Sequence, residues 1–182
     1  MAKSKSTDGE RRAASLIFES LSLKAIPRTG WTLRRVENPE SIAAHSFGVS
    51  LCALVLSRME GLSENDERRL LSLAILHDLH EARIGDVVPS QKHTLKAGAA
   101  ARAQKGMLSG TPLASDASPR ASKRLQMLLL DADKLDMLFQ AVEYSNTGNK
   151  GLEEFFASAA SQIKSPSGKK LMGMALERLE KH

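Results

Sequence analysis

Residues 70–85 read LLSLAILHDLHEARIG. Up to Leu76 the stretch is Leu, Ile and Ala with a single Ser, a composition that favours helix. It then turns polar, with His77, Asp78, His80 and Glu81 inside five residues. On a helix, positions i and i+4 share a face. His77 and Glu81 are therefore expected together at the end of an apolar helix, with Asp78 beside them. A buried carboxylate without a partner is very costly. A divalent cation is one partner that would serve.

The surrounding chain has the same helical character. It has 182 residues, enough for one compact domain with its own core. Hydrophobic residues make up 42%, mostly Leu and Ala, and aromatics only 4%. The expected fold class is all-α, a compact single-domain helical bundle. Ser63 is a cap for the helix around the opening stretch, with Glu64 and Asp66 at its positive end. That helix is expected to run to about Arg83, with Gly85 as its stop.

Upstream, residues 9–24 carry a first helix ended by Pro27, and 27–39 form a loop. Asn38 and Pro39 are expected to start a second helix over 40–58. Downstream, 92–107 reads as helical, 108–120 as a flexible connection, and 119–146 as a long helix. Two amphipathic segments follow, at 150–164 and 168–181. No β-strand pattern of useful length and no internal repeat is present. Residues 1–8 read as a disordered tail, and 9–182 as the domain.

Cys52 is the single cysteine, so no intrachain disulfide can form. That favours a cytoplasmic setting. The first residues lack the apolar run of a signal peptide, and no membrane span is expected. Net charge is +5. Between Lys92 and Arg124 seven bases face a single acid, Asp116. The stretch is either a solvated surface or a positive wall for a phosphate-bearing ligand. Nucleic-acid binding is not expected, because no aromatic residues alternate with the bases.

A metal site needs more ligands than residues 77–81 offer. His45 lies inside an apolar stretch, and Asp131, Asp133 and Asp136 follow directly on Leu128-Leu129-Leu130. Each has an ordinary alternative. A single histidine on an apolar helix is more often a core residue, and spaced aspartates are often a solvated face. The order is what raises the reading: His, then His-Asp with Glu on the same segment, then Asp, each in an apolar helical context.

That order resembles the signature of the HD-domain superfamily. The flanking residues are more specific. Lys24 to Trp31 (KAIPRTGW), Asn38 to Ser41 (NPES), Ala44-His45-Ser46, Leu76 to Glu81 and Gly85 to Pro89 (GDVVP) resemble the HD-domain 5′-deoxynucleotidases and the HD-domain-containing-2 group. The likeness covers about residues 20–92 and resumes at about 127–145.

The resemblance implies a helical HD-type fold with one divalent metal ion, held by His45, His77, Asp78 and Asp133. Glu81 matches the catalytic glutamate, and Asp86 an active-site aspartate near the substrate. Arg28, Trp31 and Arg34 match residues that hold the nucleotide, with the phosphate-binding arginine left open. Two neutral imidazoles and two carboxylates would balance a divalent charge and suit Mn, Co, Fe, Ni, Zn or Mg. The implied reaction is hydrolysis of a (deoxy)nucleoside 5′-monophosphate, and a homodimer is expected. The rivals are a nucleoside triphosphate or phosphodiester hydrolase on the same metal site, and a non-catalytic nucleotide-binding protein.

Overall fold

The computed structural model describes residues 7–88, 96–116 and 121–179. All regular elements among them are helical: α1 (Asp8–Ser20), a 3₁₀ turn (Leu21–Lys24), α2 (Thr29–Leu33), α3 (Ile42–Met59), α4 (Glu64–Leu76), α5 (Glu81–Ile84), α6 (Ala99–Leu108), α7 (Lys123–Asn146), α8 (Glu153–Gln162) and α9 (Pro166–Leu179). The only extended pairing among the described residues is an isolated antiparallel bridge between Pro27 and Ser41. The all-α bundle expected from composition is the fold observed.

Capping chemistry sets several of the helix starts. Thr7 and Glu10 form a reciprocal capping box at α1. That helix begins inside the expected tail, whose residues 1–6 lie outside the described residues. Ser63 caps α4 through the Asp66 amide, as the sequence suggests. Ser122 caps α7 through the Leu125 amide.

The start of α3 differs from expectation. Asn38 adopts φ +52 and no cap forms there. The Arg28 amide donates to the Glu40 carbonyl at 2.9 Å, and the Ile42 amide to the Ile26 carbonyl at 3.0 Å. The backbone of 40–42 is thus engaged with 26–28, so the helix begins only at Ile42. Ser41 Oγ supplies the cap, accepting from the Ala44 amide at 3.2 Å. The expected loop over 27–39 also contains the short α2. The connection at 108–120 holds turns through Asp116, and 117–120 lie outside the described residues.

The core has two parts. The larger gathers Trp31, Val49, Leu56, Leu70, Leu128, Leu135 and Leu138. The smaller gathers Leu16, Leu23, Ile42, Leu76, Leu79 and Leu108. Helix α3 packs on α4 and α7, and α7 also packs on α8 and α9. Along α3, Ile42 belongs to the smaller cluster and Val49 to the larger, with His45 between them. Along α4, Ala74 belongs to the larger and Leu76 to the smaller, with His77 next. The polar residues therefore sit where the two apolar clusters meet.

Candidate metal centre

Helix α4 stops at Leu76 instead of running to Arg83. Residues 77–80 form a tight turn with three-residue hydrogen bonds, such as Glu81 N–H to the Asp78 carbonyl at 3.0 Å. The carbonyls freed at the end of α4 find side-chain donors. His77 Nδ1 lies 2.6 Å from the Ala74 carbonyl, and Gln104 Nε2 on α6 lies 2.9 Å from the Leu76 carbonyl. Adjacent residues on an ideal helix point about 100° apart. The turn instead brings His77 Nε2 and Asp78 Oδ2 within 3.0 Å. Glu81 reaches the same region from the first turn of α5, not from one face of a continuous helix. His80 turns its Nδ1 onto the His77 carbonyl at 3.1 Å.

His45 enters from α3 and is fully buried. Its Nδ1 lies 2.7 Å from Asp136 Oδ2 on α7. A carboxylate can only accept, so Nδ1 carries the proton and the neutral ring offers the Nε2 lone pair. His77 is fixed the same way, because the Ala74 carbonyl also accepts from Nδ1. Both imidazoles therefore present Nε2, and their ring centres are 5.4 Å apart.

Carboxylates complete the cluster. Asp133 Oδ1 lies 3.2 Å from His45 Nε2, and Asp78 Oδ2 lies 3.6 Å from it. Donor atoms of His45, His77 and Asp133 all fall within 4.8 Å of one another. Lys134 Nζ holds the other oxygen of Asp133 at 2.9 Å. Among the described residues, three buried side-chain atoms have no hydrogen-bond partner: Nε2 of His45, Nε2 of His77 and Oε2 of Glu81. Orphaned polar atoms in an interior are costly. Two lone pairs and adjacent carboxylates facing one point suit a divalent cation, so the residues present fit the expected metal.

In the metal-free cluster the carboxylates favour a protonated His45 ring, and a bound ion would take the place of that proton. Burial opposes a charge on His45, but the Asp133 and Asp136 carboxylates at its two ring nitrogens outweigh it and raise its pKa to about 9. Burial also disfavours charge on Asp133, yet its contacts with His45 and Lys134 hold the carboxyl well below the usual range. Glu81 moves the other way. Burial first, then the charges of Asp78 and Asp86, push it up to about 8.

Arg28, at the start of α2, faces the cluster. Its Nη1 is 4.0 Å from Asp78 and its Nε is 3.8 Å from Asp86. Asp86 is tied to α2 as well, accepting from the Thr29 amide at 2.6 Å, while Thr29 Oγ1 donates to the Asp86 carbonyl at 2.8 Å. Beside the cluster opens a cavity of about 400 Å³ lined by Asp78, His80, Glu81, Gly85, Lys96 and Gly98.

The structure thus brings together His45, His77, Asp78, Asp133, Glu81, Asp86 and Arg28. It does not bring Trp31 or Arg34 to them. Trp31 is 1% exposed, stacked on Phe155 at 4.1 Å and edge-on to Tyr144 at 5.2 Å, with Nε1 donating to Glu40 Oε1 at 2.9 Å. Its ring is core packing that holds the loop against α7 and α8. Arg34 pairs with Glu154 at the start of α8. Asp131, one of the three aspartates on α7, is buried away from the cluster and accepts from the Lys164 and Ser165 amides ahead of α9. Sequence reasoning offered Asp136 only as one of three candidate aspartates, outside the final ligand set, and gave Glu40 no role. The signal for Asp136 was its place three residues after Asp133, on the same face of one helix.

Comparison with known proteins supports the same reading. A family model described as HD domain matches residues 21–172. The zebrafish (Danio rerio) protein named 5′-deoxynucleotidase HDDC2 is 32% identical over 178 residues, spanning 88% of this chain and 84% of its own. The fission yeast (Schizosaccharomyces pombe) protein named 5′-deoxynucleotidase hdd1 is 29% identical over 152 residues, spanning 73% of each. A solved structure of a conserved hypothetical protein from Pyrococcus furiosus matches with a TM-score of 0.75 and 35% identity, over 91% of this chain and 98% of its own.

Proposed function

This chain belongs to the HD-domain family and is a metal-dependent phosphohydrolase, and on that premise we propose that it is a 5′-nucleotidase, converting (deoxy)nucleoside 5′-monophosphates to nucleoside and phosphate. The observation that carries this is the convergence of two Nε2 lone pairs and Asp133 beside a buried Glu81 with an unpartnered oxygen. The named activity of the HDDC2 relatives supports the choice of substrate.

His45, His77, Asp78 and Asp133 would hold the ion. When bound, a divalent cation lowers the pKa of water and polarises a phosphoryl oxygen. The chain's own residues do the rest. Glu81, held above the usual carboxylate range in the metal-free cluster by burial, Asp78 and Asp86, is placed to exchange a proton. It can take one from the attacking water and return one to the leaving 5′-oxygen. Arg28 stays charged in its buried place, since Asp86 and Asp78 outweigh the cost of burial, and it is the phosphate partner we favour. Asp86 holds Arg28 and Thr29 at the mouth of the site, and the cavity beside Glu81 receives the nucleoside. Trp31 and Arg34 would act on substrate only indirectly, through the loop that carries Arg28.

A panel of nucleoside monophosphates against several divalent metals, read by phosphate release, tests the proposal. Release of pyrophosphate or triphosphate from nucleoside triphosphates, with no turnover of monophosphates, would replace it with the rival hydrolase. Binding without turnover across all metals would point to a nucleotide-binding protein.

We also propose a homodimer in the cytoplasm, with no role for membrane or nucleic acid. Helix α3 is long and apolar enough to cross a membrane by length and composition alone. Its inner face is used by His45, Val49 and Leu56. Its outer face shows Phe47, 72% exposed, with Leu51, Leu54, Val55 and Met59 in a stripe. A stripe of that kind supports a protein interface.

A further inference from the structure

Gly48 lies one turn after His45 inside α3 and is not among the glycines with positive φ. Backbone freedom therefore does not explain it, and alanine is the better helix former at such a position. The explanation lies across the α3–α7 interface. A Cβ placed on Gly48 would lie 2.6 Å from Asp136 Cγ and 3.2 Å from Oδ2, and would overlap Oδ1 outright. The Asp136 carboxylate occupies the volume that any larger residue would fill. From that seat its Oδ2 reaches His45 Nδ1 at 2.7 Å.

We propose that Gly48 and Asp136 act as a positioning pair for His45: the absent side chain admits the carboxylate, and the carboxylate fixes the ring with Nε2 aimed at the metal. This rests on the metal reading given above. Neither residue belongs to the ligand set His45, His77, Asp78 and Asp133. Donor atoms of Glu40, His45 and Asp136 also lie within 4.8 Å of one another. They do not form a second metal centre, because His45 Nδ1 is engaged by Asp136 and Glu40 Oε1 accepts from Trp31. Partners of this kind fix the tautomer of a ligating imidazole, and losing them weakens metal affinity about 10- to 100-fold.

The test is Co²⁺ affinity, measured by competition with a chromogenic chelator, for the wild type, Gly48→Ala, Asp136→Ala and the double variant. Each single variant is expected to bind about 10- to 100-fold more weakly. The double variant is expected to bind no more weakly than Asp136→Ala, since the added methyl then displaces nothing. Asp136→Asn, which keeps an acceptor for Nδ1–H, should recover part of the loss. Wild-type affinity in Gly48→Ala, or additive losses in the double variant, would overturn the proposal. If Gly48→Ala fails to fold, the double variant must fold, because the clash is gone; an unfolded double variant also overturns it. A wild-type chain that binds no Co²⁺ sinks the metal site itself, and the positioning pair with it.

Discussion

The His77 ring donates its Nδ1–H to the Ala74 carbonyl at 2.6 Å, one turn back in α4. A single contact thus ends α4, satisfies one of its last carbonyls and aims Nε2 at the cluster. His77→Ala should lose the metal, as should Asp78→Ala. Elemental analysis of the purified variants checks this, and full occupancy in both would count against the ligand set.

Glu81→Ala should separate chemistry from binding. The variant is expected to keep its metal while phosphate release falls by about 10²- to 10⁴-fold, the range of a lost general acid–base group. Metal content and turnover measured on one preparation decide the matter. Normal turnover in this variant removes Glu81 from the mechanism.

The pH dependence of metal binding follows from His45. Its pKa in the metal-free chain is raised from 6.5 to about 9, against the cost of burial, by Asp133 and Asp136. A raised basic group adds stability that is complete below its unfolded value and is lost as pH rises through its folded value. The metal-free protein should therefore lose this contribution between about pH 6.5 and 9. Metal needs the deprotonated ring, so apparent affinity should rise over the same window, with proton release. Calorimetry in buffers of different ionisation heat reads both, and a flat affinity from pH 7 to 9 would contradict the assignment.

Trp31 should behave as a packing residue. Trp31→Ala is expected to cost about 3–5 kcal/mol of stability, the range for removing a large buried aromatic. Denaturant unfolding checks this. A large rise in KM with unchanged stability would instead put the ring on the substrate.

Phe47→Glu with Leu51→Glu should yield a monomer by light scattering while metal content stays unchanged. A wild-type chain that is already monomeric removes the α3 stripe as an interface.

The Leu- and Ala-rich composition and the helix-starting signals at Ser63 and the break at Gly85 set the all-helical fold, because propensity and capping are local. The order of histidines and aspartates pointed to a metal site, because each residue type brings its own ligand chemistry, and the resemblance singled out Asp133 among the three aspartates. The tight turn at 77–80 was not legible. Periodicity continues through it, and only donors from His77 and from Gln104 on another helix make it favourable. The bridge between 26–28 and 40–42 moved the start of α3 for a similar reason, since its partner lies across a loop. Trp31 and Arg34 shared a loop with Arg28, but only the packing decided that Arg28 faces the site while Trp31 enters the core.

Sequence alone determined the all-helical class and the chemical kind of each polar group, since both follow from a residue and its near neighbours. Tertiary structure decided which nitrogen of each histidine faces the metal, where Asp136 sits against Gly48, and which arginine meets the cluster. Those depend on distances between helices far apart in the chain, set by how the two apolar clusters close around His45.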